Sequence, residues 1–325
     1  MIKKQILEMI GKYDKFLIAA HVHPEADAIG SQLAMARLLK SMGKSVRIIN
    51  ADKVPANLNF LPGSEQIETD FDFAKDDFRF DAAIILDCPV LDRIGKVAQL
   101  IKNKCVINID HHVSAENFGN INWIDANASS AGEMVYGLYK SSAVKLDDLS
   151  ALYIYTAIMT DTGSFRFSNT TTQTHRIAAE LLEYKIDPTQ VYERIYETKS
   201  FASLSLLAEV LGNIQRTKNG KFVWIKMTNQ MLRKNNLTAE AADDFIEFAR
   251  QVEGAEVVAF LREQKSGKAV KVSLRSKSGI DVNQIAGYFG GGGHVAASGC
   301  VIEKGIKQAE QDLLLRVNKA LRGKK

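Results

Sequence analysis

Acidic and imidazole side chains follow four apolar runs of the chain, each at the point where the run ends. Three of these runs have the length of strands, and the fourth has helical spacing. In open α/β sheets, ligands bind in the crevice beyond the carboxyl ends of the strands, so these side chains are expected to meet there. The four positions are the segment His21–Ser31 (HVHPEADAIGS), Asp87, the triplet Asp110–His112 (DHH) and the segment Thr160–Gly163 (TDTG).

Several carboxylates brought together are unfavourable unless a cation neutralises them, so a metal site is the natural interpretation. No cysteine joins the set, and ligands that are only oxygen and nitrogen favour manganese, magnesium or another first-row divalent ion over structural zinc. The candidate ligands exceed what one ion needs, and two ions that share a carboxylate would use them. A two-metal site can generate hydroxide and stabilise both oxygens of an in-line displacement at phosphorus.

Each of these residues also has a simpler interpretation when it is taken alone. An Asp at the end of a strand is often a helix N-cap, and Asp27 could be one. A single histidine is more often a satisfied surface or core residue than a ligand. The agreement of all four segments is what favours a metal site.

The elements that must position these residues show a βαβ rhythm. Strands are predicted at Lys15–Ala20, Ser45–Asn50, Asp81–Leu86 and Cys105–Ile109, and the last two are continuous apolar runs typical of strands buried on both faces. Helices are predicted from Asp27 to Gly43, near 128–143 and over 148–160. This alternation predicts a doubly wound, mostly parallel sheet.

The remainder of the chain predicts a second, smaller α/β domain. Residues 172–212 are predicted to be entirely helical, and strands are predicted at Phe222–Met227, Ala255–Arg262 and Ala269–Arg275, with a hairpin turn at Ser266-Gly267. The expected domains are therefore a metal-binding catalytic domain over 1–186, a helical linker over 187–213 and a substrate-binding domain over 214–325.

Composition bounds the class of protein. The chain has 325 residues, of which 46% are hydrophobic and 25% charged, so it is expected to be globular rather than disordered or fibrous. No apolar stretch approaches the ~18 residues of a membrane span, and the first residues lack the features of a signal peptide. Three widely spaced cysteines form neither a zinc motif nor a disulfide framework. A cytoplasmic location is therefore expected.

The net charge of +4 is unevenly distributed. Residues 1–213 carry 22 basic and 27 acidic residues, for a net charge of −5, whereas residues 214–325 carry 20 and 11, for a net charge of +9. This division suggests metal ligands in the first part and an anion-binding surface in the second.

The glycine run Gly290–Gly293 before His294 is the most unusual segment of the basic part. Glycine content alone is compatible with a flexible loop. The functional alternative is a nest of backbone N–H groups, contributed by Gly291, Gly292 and Gly293, that faces a phosphate, followed by a helix-compatible stretch over 294–299. Arg262 and Arg275 lie at strand ends, where planar guanidinium groups could bind phosphate.

The sequence resembles the DHH phosphoesterase family, which is named for the Asp110–His112 triplet. The four motifs HVHPEADAIGS, ILDCP, NIDHH and MTDTGSF stand in the family's order, and GGGGHVAASG matches the associated C-terminal domain of its oligoribonuclease and pAp phosphatase branch. The resemblance covers nearly the whole chain.

The resemblance implies a role for each position. His21 and Glu25 would hold one metal, Asp27, His111 and Asp161 would hold the other, and Asp87 would bridge the two. Asp110 would orient a ligand histidine, and His112 would contact the substrate phosphate and could protonate a leaving oxygen. One departure is Glu25, which stands where the family usually has Asp. His23 is interpreted as a non-ligand.

The resemblance also makes four residues of the basic part the candidates for binding nucleotide and phosphate. These are Arg262, Ser273, Arg275 and His294.

The implied function is metal-dependent, exonucleolytic hydrolysis of short oligoribonucleotides (nanoRNA) to nucleoside monophosphates, and of adenosine 3′,5′-bisphosphate (pAp) to AMP and phosphate. A hydroxide bridging two divalent ions, most readily Mn²⁺, with Mg²⁺ or Co²⁺ as alternatives, would attack the phosphorus. The rival functions are a cyclic-dinucleotide or pApA phosphodiesterase, a manganese pyrophosphatase, and a nucleotide sensor with an inactive site. The expected partners are short RNA and small phosphorylated nucleotides, with no long double-stranded nucleic acid and no membrane, and a homodimer is plausible on base rates.

Overall fold

The computed structural model describes residues 1–69, 71, 79–277 and 279–322. The chain forms two compact units, Met1–Thr198 and Lys199–Lys325, which we call unit 1 and unit 2. The boundary between them falls inside the segment 187–213, which the sequence predicted to be a helical linker.

Unit 1 contains a six-stranded sheet in which every strand runs parallel to its neighbours. Its order is β3-β2-β1-β4-β5-β6. The order reverses between β1 and β4, so the chain leaves these two strands in opposite directions and a crevice opens at their carboxyl ends. The strands are β1 (Lys15–Ala19), β2 (Ser45–Ile49), β3 (Ile67–Glu68), β4 (Ala82–Leu86), β5 (Cys105–Asp110) and β6 (Ile121–Ile124).

Seven α-helices accompany this sheet in the described part of unit 1. They are α1 (Ile2–Lys12), α2 (Ala26–Ser41), α3 (Ala98–Ile101), α4 (Ala131–Ser141), α5 (Asp148–Asp161), α6 (Thr172–Leu181) and α7 (Pro188–Tyr196). Short 3₁₀ turns lie at Ala56–Leu58, Ser64–Gln66 and Leu91–Val97.

Apolar side chains cover both faces of the parallel sheet. On one face, Phe16 and Ile84 belong to a core that also contains apolar residues of α2, α4 and α5. On the other face, Leu17 and Ile85 pack with residues of the segment 91–101. Because both faces are buried, the strands are continuously apolar rather than alternating, as the sequence of β5 showed.

Helices α2 and α5 approach each other closely at Gly30. A Cβ atom on Gly30 would lie 2.5 Å from the backbone oxygen of Tyr153 and 3.2 Å from the Cβ of Ala157. This contact matters for the site, because α2 carries Asp27 in its first turn and α5 ends at Asp161.

Unit 2 contains a six-stranded mixed sheet of order β11-β12-β10-β9-β8-β7. Among its described strand pairs, β8–β9 is parallel and the others are antiparallel. The strands are β7 (Gln215–Arg216), β8 (Phe222–Met227), β9 (Val257–Glu263), β10 (Val270–Ser276), β11 (Gly292–Gly293) and β12 (Ala297–Ile302).

Two separate apolar clusters line the two faces of this second sheet. One cluster joins β8–β10 and β12 to α11 and α12, and the other joins β8 and β9 to α8, α9 and α10. The helices of unit 2 are α8 (Phe201–Leu211), α9 (Asn229–Lys234), α10 (Phe245–Ala249), α11 (Val282–Tyr288) and α12 (Ile306–Arg322), with a 3₁₀ turn at Ala239–Ala242.

The structure confirms the predicted fold class and corrects two local predictions. Residues 172–212 are three helices rather than one continuous helical stretch, because Asp187 caps a new helix that begins at Pro188. Residues 294–299 do not begin a helix; they turn into β12, in which Ala297–Gly299 pair with β10. The hairpin at Ser266-Gly267 is confirmed, and Gly267 has a φ of +68°. Among the residues described, no helix combines the length and hydrophobicity that a membrane span requires.

Candidate metal centre

The predicted site residues of unit 1 converge at the carboxyl ends of its central strands. His21 follows β1, Asp87 follows β4, and Asp110 is the last residue of β5. These three strands are adjacent in the sheet. The packing of α2 against α5 brings Asp27 and Asp161 to the same place. Residues from all four predicted segments therefore lie in the crevice.

The imidazole of His111 lies among three carboxylates. Its Nε2 atom is 3.6 Å from Asp87 Oδ1, 3.6 Å from Asp161 Oδ2 and 3.7 Å from Asp27 Oδ2. These separations are too long for direct hydrogen bonds. Ligand atoms of Asp27, His111 and Asp161 nevertheless all lie within 4.8 Å of one another, which is a spacing that one cation could bridge.

Asp87 lies between this group and two further imidazoles. Its Oδ2 atom is 3.3 Å from Nε2 of His21, and its Oδ1 atom is 3.6 Å from Nδ1 of His112. Asp87, His111 and His112 form a second set of ligand atoms within 4.8 Å of one another. The two sets have His111 in common, and Asp87 lies between the imidazole of His111 and that of His21.

The conformation of Asp87 shows that its position is imposed by the surroundings. Its φ is +53°, a left-handed value that is unfavourable for a residue with a Cβ atom. Its backbone N–H donates to the carbonyl of Ile109 at 3.1 Å, which fixes the turn against β5. Its Oδ1 atom is buried and has no hydrogen-bond partner in the described part of the chain. A buried, unpartnered carboxylate oxygen beside the imidazoles of His111 and His112 suits a metal ligand.

Electrostatics in the cluster support the same interpretation. Burial raises the pKa of Asp27, and the nearby charges of Asp87 and Asp161 raise it further. Burial likewise raises the pKa of Asp161 to about 6. Burial alone would lower the pKa of His111, but Asp87, Asp27 and Asp161 raise it to about 10. Without a metal, protons thus take the place of the positive charge that the carboxylates require.

The pKa of Asp87 is shifted in the opposite direction to those of Asp27 and Asp161. Burial would raise its pKa, but the interactions with His111 and His21 lower it to about 2. Neighbouring carboxylates whose pKa values are pushed in opposite directions are typical of functional sites.

Asp27 is fixed by the N-terminus of α4. Its Oδ2 atom accepts the backbone N–H of Ala131 at 2.7 Å, and its Oδ1 atom accepts that of Gly132 at 2.9 Å. It does not cap its own helix, because Glu25 occupies the N-cap position of α2. The alternative in which Asp27 is only an N-cap of α2 is therefore wrong. The amide groups stabilise the charged carboxylate and orient it towards the cluster.

Asp110 holds the ring of His112. Its Oδ1 atom accepts Nδ1–H of His112 at 2.7 Å and the backbone N–H of His111 at 2.9 Å, while its Oδ2 atom is buried and unpartnered among the described residues. Asp110 thus orients a histidine, as expected, but the ring it contacts is that of His112 and not that of His111. The Nε2 atom of His112 has no partner among the residues that the structure describes, so it can meet a substrate.

His21 is oriented by its own loop. Its Nδ1 atom lies 2.7 Å from the carbonyl oxygen of Val22, which can only accept a hydrogen bond. The proton is therefore assigned to Nδ1, and the lone pair of Nε2 faces Asp87. This tautomer is the one that a metal ligand bound through Nε2 requires.

Glu25 lies at the edge of the cluster. Its side chain is exposed and belongs to neither group of mutually close ligand atoms, although its charge contributes to the raised pKa of Asp161. His23 is 91% exposed and lies 3.5 Å from Asp52, outside both groups.

The loop after α5 holds Asp161 in place. Gly163, Ser164 and Phe165 are three consecutive residues with positive φ. Any side chain at Gly163 would overlap the ring of Phe167, since a Cβ atom would lie 2.4 Å from it. The Nδ2 atom of Asn169 donates to the carbonyls of Ser129 and Asp161, at 2.9 and 3.1 Å. Asn169 was missed at the sequence level, because an isolated Asn in a loop carries no distinctive signal.

The predicted substrate-binding residues of unit 2 lie on or beside one face of its sheet. Lys271, Ser273 and Arg275 alternate along β10, and Arg262 on β9 is directly opposite Lys271. Arg262 is paired with the exposed Asp243, and Nε of Arg275 donates to Glu247 at 3.3 Å. The Nε atom of Arg262 is buried and has no partner in the described chain.

The glycine run is an edge strand rather than a nest of free amides. Gly292 and Gly293 pair with β12, and the N–H groups of Gly291 and His294 donate to the carbonyls of Ala286 and Ala297. Glycine is required because a Cβ atom on Gly291 would lie 2.2 Å from the backbone oxygen of Gly299. The N–H group of Gly291 is thus already paired, and the phosphate-binding role of Gly292 and Gly293 stays a prediction. His294 is exposed at the end of this strand.

Comparison with known proteins identifies two regions of family similarity. The family described as DHH family, N-terminal domain, matches residues 15–158, and the DHHA1 domain matches residues 219–323. The first match includes the DHH triplet, and the second includes the glycine run.

Two curated relatives align with nearly the whole chain. The bifunctional oligoribonuclease and PAP phosphatase NrnA of Thermus thermophilus is 35% identical over 94% of this chain and 89% of its own length. The NrnA of Bacillus subtilis is 29% identical over 92% of this chain and 93% of its own length. Among solved structures, an exopolyphosphatase-related protein from Bacteroides fragilis has a TM-score of 0.90 and 28% identity, covering 98% of this chain and 95% of the other.

Proposed function

The chain belongs to the DHH family of metal-dependent phosphoesterases, and we propose that it hydrolyses short oligoribonucleotides to nucleoside monophosphates and pAp to AMP and phosphate. The observation that carries the proposal is the convergence of Asp27, Asp87 and Asp161 on the imidazole of His111. The substrates are proposed because relatives that match more than nine-tenths of the chain bear the name of this bifunctional activity.

The residues present fit two divalent ions. His21, Glu25 and Asp87 would hold one, and Asp27, Asp87, His111 and Asp161 would hold the other. The all-oxygen and nitrogen donor set supports Mn²⁺, with Mg²⁺ or Co²⁺ as alternatives. When bound, such ions lower the pKa of a coordinated water and neutralise charge that develops on the phosphate.

The protein's own groups complete the reaction. A water oxygen attacks the phosphorus and the ester P–O bond breaks, so the leaving oxygen must gain a proton. His112 is suited to donate it, because Asp110 holds its Nδ1–H and leaves Nε2 free. Asp110 is buried and fixes the orientation of this ring.

Unit 2 would supply the second part of substrate recognition. We propose that Arg262, Ser273, Arg275 and His294, with the exposed backbone around Gly291, Gly292 and Gly293, bind the nucleotide and its distal phosphate. The support is the shared position of Ser273 and Arg275 on one face of β10, with Arg262 beside them on β9. The carboxylates that pair with the two arginines are largely exposed and could be displaced by a phosphate.

A substrate panel tests the proposal. Purified protein with Mn²⁺ should release AMP and phosphate from pAp, and mononucleotides from RNA of two to five residues. Parallel reactions contain pApA, cyclic di-AMP and pyrophosphate, and each is repeated with EDTA. Hydrolysis of pApA or cyclic di-AMP alone would replace the proposal with turnover of cyclic dinucleotides. Hydrolysis of pyrophosphate alone would indicate a pyrophosphatase, and no hydrolysis with Mn²⁺ or Mg²⁺ would favour a nucleotide sensor.

A cytoplasmic location and a homodimer are parts of the same proposal. The location is supported by the three cysteines, all of which are free. The homodimer rests on the frequency of symmetric pairs among soluble enzymes. Sedimentation at several protein concentrations would distinguish a dimer from a monomer.

A further inference from the structure

Arg93 is a partly buried cation beside the candidate metal centre, and it has no carboxylate partner among the described residues. One of its guanidinium nitrogens lies 3.2 Å from Nδ1 of His21, whose Nε2 faces Asp87. The ring of His21 therefore separates the guanidinium from the central carboxylate of the cluster. Neither the sequence motifs nor the family resemblance assigned this residue a role.

The contact between Arg93 and His21 does not satisfy the arginine. Nδ1 of His21 lies closer, at 2.7 Å, to the carbonyl oxygen of Val22, so it carries a proton that it donates there. A protonated nitrogen cannot also accept a hydrogen bond from Arg93. The guanidinium, which has five N–H donors, is thus left without an acceptor in the described chain, at a site where an anion must bind.

The position of Arg93 is built into the loop. Its carbonyl oxygen accepts the backbone N–H of Val22 at 2.6 Å, which ties the turn Leu91–Val97 to the loop that carries His21. Gly95 has a φ of +60°, and a Cβ atom there would lie 2.9 Å from Ala51 and 3.0 Å from Val22. A turn that is held this closely fixes where the arginine side chain begins.

We propose that Arg93 binds a non-bridging oxygen of the phosphate that the metal centre receives, as a cation supplied by unit 1 itself. The proposal rests on the proposed function, since it assumes a phosphate-bearing substrate. A planar guanidinium suits a phosphate because it can donate two parallel hydrogen bonds. It would stabilise charge on the phosphate from the side occupied by His21.

The experiment compares Arg93→Gln, Arg93→Lys and the matched control Lys96→Gln. Lys96 lies on the same turn and is exposed, and its ammonium donates to the carbonyl of Thr69 rather than to the cluster. Binding of inorganic phosphate to the Mn²⁺-loaded protein is measured by calorimetry, binding of Mn²⁺ alone by electron paramagnetic resonance, and kcat and KM with pAp.

Arg93→Gln should weaken phosphate binding and lower kcat/KM by roughly 10- to 100-fold, the usual effect of losing a hydrogen bond to a charged group. Its affinity for Mn²⁺ should stay within about twofold of the wild type. Arg93→Lys should recover part of the loss, because it keeps the charge but not the bidentate geometry. Lys96→Gln should behave as the wild type.

Unchanged phosphate affinity in Arg93→Gln would overturn the proposal. A loss of Mn²⁺ affinity in parallel with activity would also overturn it, because Arg93 would then only support His21. The measurement of phosphate binding does not require that the protein hydrolyse a substrate. If the wild type hydrolysed nothing, the proposed function would fail, while phosphate binding would still decide the role of Arg93.

Discussion

Asp87 is the residue on which the candidate site depends most. It contacts His21 and His112, it lies 3.6 Å from His111, and one of its oxygens is buried without a partner among the described residues. The imidazoles of His111 and His21 lower the pKa of this carboxyl group to about 2, so Asp87 is charged over the physiological pH range. A buried, charged carboxylate with an unpartnered oxygen supports the role of metal ligand proposed for Asp87.

Glu25 allows the two proposed ions to be distinguished. Glu25→Gln should lower the affinity for one of the two Mn²⁺ ions by at least about tenfold and leave the affinity for the other unchanged, because Glu25 is assigned to one ion only. Glu25→Asp restores the usual family residue and should keep activity within about threefold. Mn²⁺ titration followed by electron paramagnetic resonance measures both sites. Glu8→Gln, an exposed acid on α1, is the control for lost charge. Equal weakening of both ions would contradict the assignment.

Asp161 predicts how the metal-free protein responds to pH. Burial raises its pKa to about 6 in the folded state, above its value of 3.8 when unfolded. The folded state therefore binds more protons between about pH 4 and 6, and the free energy of unfolding falls as pH rises through that window. Asp161→Asn should consequently stabilise the metal-free protein more at pH 7 than at pH 4.5.

Urea unfolding in EDTA at the two pH values measures this difference. Asp148→Asn, at the other end of α5, is the control, because that side chain is 48% exposed. An effect of Asp161→Asn that is the same at both pH values would show that the carboxylate is not destabilised by burial.

Part of the site could be predicted from residue types alone. The carboxylates and imidazoles that follow the predicted strands do meet, because the carboxyl ends of neighbouring parallel strands share one edge. The partners of Asp27 and Asp110 could not be predicted, since they depend on the N-terminus of α4 and on the turn after β5. Arg93 was missed because an arginine seven residues after a strand has no distinctive sequence signal, and only the structure shows that its guanidinium lacks a carboxylate partner among the described residues.

Helices α2 and α5 set the distance between the acids they carry. Gly30 lets their backbones approach, and Gly30→Ala should destabilise the protein by about 1–3 kcal/mol, because the added methyl group would meet the Tyr153 carbonyl at 2.5 Å. Gly11→Ala is the matched control on α1, where a Cβ atom would meet nothing within 4 Å, and should stabilise by about 0.5 kcal/mol. Denaturant midpoints measure both changes. Equal effects would contradict the role given to the close approach of α2 and α5.

The parallel sheet was more predictable than the elements around it. The continuous apolar runs of β4 and β5 gave a strong signal, because both faces of that sheet are buried. The glycine run of unit 2 gave a misleading signal, because it did not predict the edge strand β11. A segment without side chains carries no periodicity, and its pairing with β12 depends on how closely Gly291 approaches Gly299. Only the tertiary structure shows that these glycines form a sheet edge.

The chain forms two compact units, and a metal ion should stabilise only unit 1. Mn²⁺ at about 100 times its dissociation constant adds about 2.7 kcal/mol to the stability of a folded state that alone binds it. For unit 1 this corresponds to a rise in Tm of about 5–10 °C. Unit 2, whose proposed ligands are phosphates, should not respond to the metal alone.

Two tryptophans, one in each unit, allow this to be measured. Trp224→Phe leaves Trp123 as the fluorescence reporter of unit 1, and Trp123→Phe leaves Trp224 as the reporter of unit 2. The Tm reported by Trp123 should be higher with Mn²⁺ than with EDTA, whereas the Tm reported by Trp224 should be the same in both. A shift of the Trp224 signal by the same amount would show that the units unfold together or that the metal binds elsewhere.

The division of charge along the sequence corresponds to the division of labour proposed for the two units. The acidic part holds the candidate metal ligands, and the basic part carries arginines on one sheet face. What the sequence could not supply is the choice of substrate. The proposed metal centre would act on phosphorus and would not distinguish pAp from a dinucleotide, so under this proposal the choice of substrate depends on the basic surface.

The most direct test of the account is phosphate release from pAp as a function of Mn²⁺ concentration, in the wild type, Asp87→Asn and Asp92→Asn. Asp92 is an exposed acid five residues further along the chain and serves as the matched control. We expect release that requires Mn²⁺, that falls by at least about 100-fold in Asp87→Asn and that is retained in Asp92→Asn. Release that persists in Asp87→Asn, or that continues in EDTA, would contradict the assignment of the cluster as the catalytic metal centre.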